Sequence, residues 1–207
     1  MFGPAFRRTR PFLRPKSLWL VLVLAVPGPS SWASDLDAFN PAKTDPAMFR
    51  IAVRHSHRLD VPQGGARVKI LLKDRKSGNV LREKEVLLTR TIPVIRPEKL
   101  LSGRRGDERV SIYRIPDRQV AELRALQAKY LAMPKERQDK IAGELVIDVA
   151  GCKVDPQDSG QMLISTYLKT SEFQDYVLLE KDFDLRNVPL TDRSGQRDPV
   201  KPCLQQQ

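Results

Sequence analysis

The thirteen residues "FRIAVRHSHRLDV" at 49–61 alternate between apolar and polar positions almost without a break, and that period constrains the fold more than any other feature of the chain. Phe49, Ile51, Val53, His55, His57, Leu59 and Val61 fall on one side of an extended backbone. Arg50, Arg54, Ser56, Arg58 and Asp60 fall on the other. Successive side chains of a strand point to opposite faces, so this period predicts a half-buried strand. Pro62-Gln63-Gly64-Gly65 ends it.

The next segment, "ARVKILLKDRKSGNVLREKEVLLTR", has the form of a hairpin around Ser77-Gly78-Asn79. Val68, Ile70 and Leu72 point one way, and Arg67, Lys69, Lys73 and Arg75 the other. A three-residue turn there sets Ile70 opposite Val86, Val68 opposite Leu88, Lys73 opposite Glu83 and Asp74 opposite Arg82. Residues 92–108 are rich in proline, glycine and charge and are expected to form a long surface loop, followed by a short strand at 109–115. Pro116-Asp117 opens a helix in which Val120, Leu123, Leu126, Tyr130 and Met133 recur at helical spacing until Pro134 closes it. A shorter helical piece is expected over 135–142, up to Gly143. Residues 143–154 then have strand character, with Leu145, Ile147 and Val149 on one side. A last antiparallel pair is expected about Thr170-Ser171. Phe173, Val177, Leu179, Phe183 and Leu185 would face its core, and Glu180, Asp182 and Asp184 would face outward. About seven strands at hairpin spacing imply a mainly β fold, an antiparallel β-sandwich that is Ig-like by pattern only, with one helical insertion around 117–142.

Both ends of the chain stand apart from that core. Residues 1–33 combine Arg7, Arg8, Arg10, Arg14 and Lys16 with the apolar run "LWLVLVLAV" and a small-x-small exit at Ser31-Trp32-Ala33. That is the pattern of a cleaved secretory signal, and the apolar run is short of the roughly 20 residues of a membrane span. Residues 34–47 are expected to be an extended leader, 48–186 a single domain, and 187–207 a polar tail. The chain's two cysteines, Cys152 and Cys203, are an even number in an exported protein. Their expected state is a disulfide that ties the tail back to the body. Export then means a periplasmic or secreted location.

Charge bears on the partner. The full chain carries 36 basic and 25 acidic residues, and five of the basic ones lie in the expected signal, which leaves an excess of six. The excess is local, since residues 61–116 hold 14 lysines and arginines against 6 acids. Arg67, Lys69, Lys73 and Arg75 on one strand face, with Arg104 and Arg105 in the long loop, form the candidate binding surface. Glu83 and Glu85 on the sister strand would neutralise part of it. An exported basic surface meets envelope proteins, anionic glycans and lipid headgroups. Nucleic acid is not expected, because no aromatic residue interleaves with the charges over 61–90. Arg105-Gly106-Asp107 spells an adhesion tripeptide, but three residues occur together by chance too readily to carry an assignment.

The candidates for chemistry are few. His55 and His57, the only histidines, would lie about 7 Å apart on one strand face. They could be two ligands of a copper or zinc ion, the third coming from an Asp, Glu, Met or reduced Cys. In the other reading they are core-rim imidazoles hydrogen-bonded to backbone or a nearby carboxylate, and the apolar face on which they fall favours that. No G-x-S-x-G or Cys-x-x-Cys motif occurs, and no organic cofactor is called for. The expectation from sequence is an exported, non-catalytic binding protein that engages an envelope protein through its basic surface. The alternative is a small-ligand or metal-binding protein centred on His55 and His57.

Overall fold

The computed structural model describes residues 39–92, 100, 106–187 and 200–203. The expected signal, Arg104 and Arg105 lie outside the described residues. The described strands are β1 (Arg50–Ser56), β2 (Leu59–Asp60), β3 (Ala66–Asp74), β4 (Val80–Leu87), β5 (Thr89–Thr91), β6 (Glu108–Arg114), β7 (Ile141–Val149), β8 (Cys152–Lys153), β9 (Leu163–Lys169) and β10 (Val177–Asp184). Two helices, α1 (Asp117–Leu131) and α2 (Lys135–Gln138), connect β6 to β7. The protein is mainly β, as the alternation implies. Its strand pairs are antiparallel and form a five-stranded sheet in the order β10-β9-β1-β6-β5, a three-stranded sheet in the order β4-β3-β7, and a small β2-β8 pair.

The two larger sheets and α1 enclose one core. Ile51, Val53, Ile164 and Leu168 come to it from the five-stranded sheet, Val68 and Val86 from the three-stranded sheet, and Val120 and Leu123 from the helix. Tyr113 is fully buried there, and its hydroxyl donates to the Val61 carbonyl. Arg54 departs from the expected outward side of β1. Its side chain is 8 % exposed, lies 3.5 Å from Glu108 and sits over the Tyr167 ring. The reason is that this face is covered as well. Ala52, Leu100, Ile112 and Tyr167 form a second buried cluster on it, so β1 is buried on both sides.

Three local chemistries redirect the expected pairing. β1 stops at Ser56, His57 and Arg58 turn the chain, and Leu59–Asp60 pairs with β8. In the hairpin, the Asp74 carboxylate accepts from the Lys76 and Ser77 amides and the Ser77 hydroxyl. Those bonds hold it below the usual carboxylate range. An Asx turn therefore starts at Asp74, and Gly78 supplies the positive φ of 71° that closes it. The turn shifts the pairing by two residues, so Val68 lies opposite Val86 and Ile70 opposite Lys84. Over Arg67–Leu72 the shift is even and leaves the side chains on their expected faces, and a bulge after Leu72 then sets Lys73 opposite Val80. Thirdly, Asp184 is 9 % exposed instead of outward. It accepts from the Met162 amide and from Arg186, whose guanidinium holds its carboxyl low. β10 is bulged, with Asp182 at φ 49°, and the irregular strand re-aims its acids.

The Cys152–Cys203 disulfide is formed. Around it the Lys153 amide donates to the Lys201 carbonyl and the Cys203 amide to the Lys153 carbonyl. This stitches 200–203 beside β8 and buries Val200 in the core. Among the described residues no helix is long and apolar enough to cross a membrane. Gly65 marks the tightest backbone approach, because a Cβ there would lie 2.7 Å from the Ala150 carbonyl oxygen and 3.0 Å from that of Pro62. Both neighbours are backbone and cannot rotate away. Gly65→Ala is therefore expected to cost about 1–3 kcal/mol, read from the shift in urea midpoint at unchanged slope.

Candidate functional site

The three-stranded sheet separates the predicted basic stripe into two environments. Arg67 lies 3.3 Å from Glu85 on β4 and 3.2 Å from Asp148 on β7. Lys69 lies 3.4 Å from Glu85 and 3.9 Å from Glu83. Lys73 pairs with Glu144 on β7, where the sequence had set it opposite Glu83. A central strand has two neighbours, and β7 brings acids that the hairpin alone did not foretell. Arg75 is different. Its Nε donates to the Asp139 carbonyl at 3.1 Å and its Nη2 to the Ile141 carbonyl at 3.2 Å, and it has no carboxylate partner among the described residues.

The two histidines are also separated. His55 is buried, with Nδ1 3.0 Å from the Ser56 carbonyl and Nε2 3.1 Å from the Ser111 hydroxyl. Burial pushes its imidazole below the ordinary histidine value. His57 is on the turn, half exposed, 3.3 Å from the Asp107 carboxylate. The shared strand face expected of them is lost because β1 ends between them. Among the described residues no three His, Cys, Asp or Glu side chains gather as metal ligands.

A feature not foreseen in the sequence is a cavity of about 220 Å³ between α1 and the inner face of the three-stranded sheet. Val68, Ile70, Leu72 and Leu145 form its floor, and Leu123, Leu126, Gln127 and Tyr130 its roof. Phe39, Pro41, Thr44 and Phe49 form one wall, and Arg75 and Gly143 also line it. The segment expected to be an extended leader makes that wall because α1 straps it down. Gln127 Nε2 donates to the Pro41 carbonyl at 2.9 Å and to the Thr44 carbonyl at 2.7 Å. Arg124 reaches Asp45 at 2.8 Å and holds its carboxyl below the usual range.

Gly143 lets the leader pack against the cavity wall. It lies inside β7, where a neighbour would carry a side chain, and a Cβ there would come no closer than 3.5 Å to Pro41 Cγ. Glycine inside a strand often marks a gap or a close approach. It was the available sequence signal, and taking it as the end of the helical piece concealed it. The lining is mainly apolar with a few polar groups at its margin, the usual make-up of a small-ligand pocket.

The fold defines a mainly β protein of antiparallel sheets with a helix laid over one of them, and the site on it is an apolar cavity with an arginine in its wall. No family model matches the chain, no curated protein matches it in sequence, and no solved structure matches it.

Proposed function

We propose that this chain is an exported, non-catalytic binding protein that holds a small apolar ligand between α1 and the three-stranded sheet. The observation that supports the reading is the cavity itself, floored by β3 and β7 and roofed by Leu123, Leu126 and Tyr130. Export is supported by the Cys152–Cys203 disulfide, since such bonds persist in oxidising compartments. A ligand that binds only the folded protein raises its stability by mass action, by about 2.7 kcal/mol at a hundredfold excess over Kd. With octan-1-ol at that excess the melting temperature is expected to rise by roughly 5–10 °C. Gly143→Leu, which grows a side chain from the cavity wall towards Pro41 on a backbone with ordinary φ, is expected to remove that rise. An octan-1-ol response equal in the two proteins would place the ligand elsewhere.

A second reading is an envelope-protein partner on the outer face of the same sheet. Val80, Leu81 and Leu87 of the edge strand β4 are half exposed there beside the ion pairs of Arg67, Lys69 and Lys73. Apolar residues set among charges are common at transient interfaces. Lys69→Glu with Lys73→Glu is then expected to weaken capture of a crosslinked partner from the envelope fraction and to flatten its salt dependence. An unchanged yield and salt profile in the double variant would rule the face out.

A further inference from the structure

The ligand class can be narrowed, on the footing that the cavity is a binding site. We infer that it takes the tail of a single-chain amphiphile with an anionic carboxylate head, and that Arg75 receives the head. The volume sets the tail. A cavity of about 220 Å³ is larger than the roughly 150 Å³ apolar cavity that admits a benzene ring, so it has room for a medium-length alkyl chain.

The charge at the cavity wall sets the head. Arg75 lies in the wall beside Ile141 and Leu72, and its guanidinium is exposed. Two of its nitrogens are spent on the carbonyls of Asp139 and Ile141, which fix its orientation and leave its charge in place. Among the described residues Nη1 has no hydrogen-bond partner, and no acid pairs with the side chain. Arg67, Lys69 and Lys73 on β3 each have a carboxylate, whereas Arg75 lies just past the end of that strand, in the turn. The Arg75 amide also donates to the Lys140 carbonyl, which ties the turn to the end of β7. A planar guanidinium with free N–H groups is suited to a carboxylate, and an octyl ammonium would be repelled.

Calorimetric titration of the mature, disulfide-bonded chain with octanoate, octan-1-ol and octylammonium tests this. Octanoate is expected to bind about tenfold more tightly than octan-1-ol, the worth of one charge-assisted hydrogen bond, and octylammonium more weakly than either. Arg75→Gln is expected to bring octanoate down to the level of octan-1-ol without moving octan-1-ol itself. Because Arg75 also ties two carbonyls, Arg75→Lys is the companion variant. It keeps the charge and is expected to retain most of the octanoate preference. Gly143→Leu is expected to lose both ligands. Equal affinity for octanoate and octan-1-ol, or a preference that survives Arg75→Gln, overturns the carboxylate assignment and leaves the cavity reading standing. Failure of all three probes to bind overturns both.

Discussion

Replacing Cys152 and Cys203 with serine is expected to lower the unfolding free energy by about 4 kcal/mol. The bridge joins positions 51 apart in sequence, and closing a loop of that length removes chain entropy from the unfolded state on this scale. A native-state loss adds to it. Val200 is 3 % exposed in the core, and the backbone bonds from Lys153 to Lys201 and from Cys203 to Lys153 hold it there. Among the described residues, those two hydrogen bonds and the buried Val200 side chain also hold 200–203 in place. Urea denaturation of the double-serine protein, with the oxidised parent beside it, measures the difference. A loss below about 1 kcal/mol would mean that the segment is held by its own contacts and that the loop model does not apply.

Tyr113 is the second position of large effect. Among the described residues it is the largest fully buried side chain, it pairs with Ile51 across β1 and β6, and its hydroxyl serves the Val61 carbonyl, which follows β2. Tyr113→Ala is expected to cost about 3–5 kcal/mol through the cavity it leaves. Tyr113→Phe keeps the ring and is expected to cost about 1–3 kcal/mol, because a buried carbonyl loses its donor.

Tyr113 also sets an alkaline limit. Burial pushes the phenol up from 10.0 to about 12. Between those values the unfolded chain has released the proton and the folded chain still holds it, so stability falls as pH rises. The contribution is fully present below about pH 10 and is lost by about pH 12, in all about 2–3 kcal/mol. The phenylalanine variant lacks this term, and its deficit against the parent should close over that range. A deficit constant from pH 9 to 12 would show that the phenol ionises as readily folded as unfolded.

How much of this was legible in the sequence depended on whether the deciding group was local. The period of two through Phe49, Ile51 and Val53 identified β1, and the apolar faces of β3 and β7 followed from the same rule. The disulfide followed from two cysteines in a chain with an export pattern. The hairpin faces were legible as far as Leu72 but its pairing was not, because the Asp74 carboxylate takes up the turn amides and starts the turn earlier in the chain. The burial of Arg54 was hidden, since the cover on that face includes Leu100, far along the chain.

The candidate site divides the same way. Four cations on one strand face were visible in sequence. That three of them meet acids on β4 and β7 follows from sheet order, and Arg75, past the end of β3, meets the carbonyls of Asp139 and Ile141. The cavity was the least legible element, because one of its walls is a leader segment that α1 holds in place.

The most direct test of the central claim is a methyl-resolved nuclear Overhauser experiment on the disulfide-bonded protein with octanoate. The binding account predicts contacts from the octanoate chain to Val68, Ile70, Leu123, Leu126 and Leu145, and none to Val80, Leu81 or Leu87 on the outer edge of the sheet. Contacts to the edge residues alone, or no contacts at ligand saturation, would contradict it.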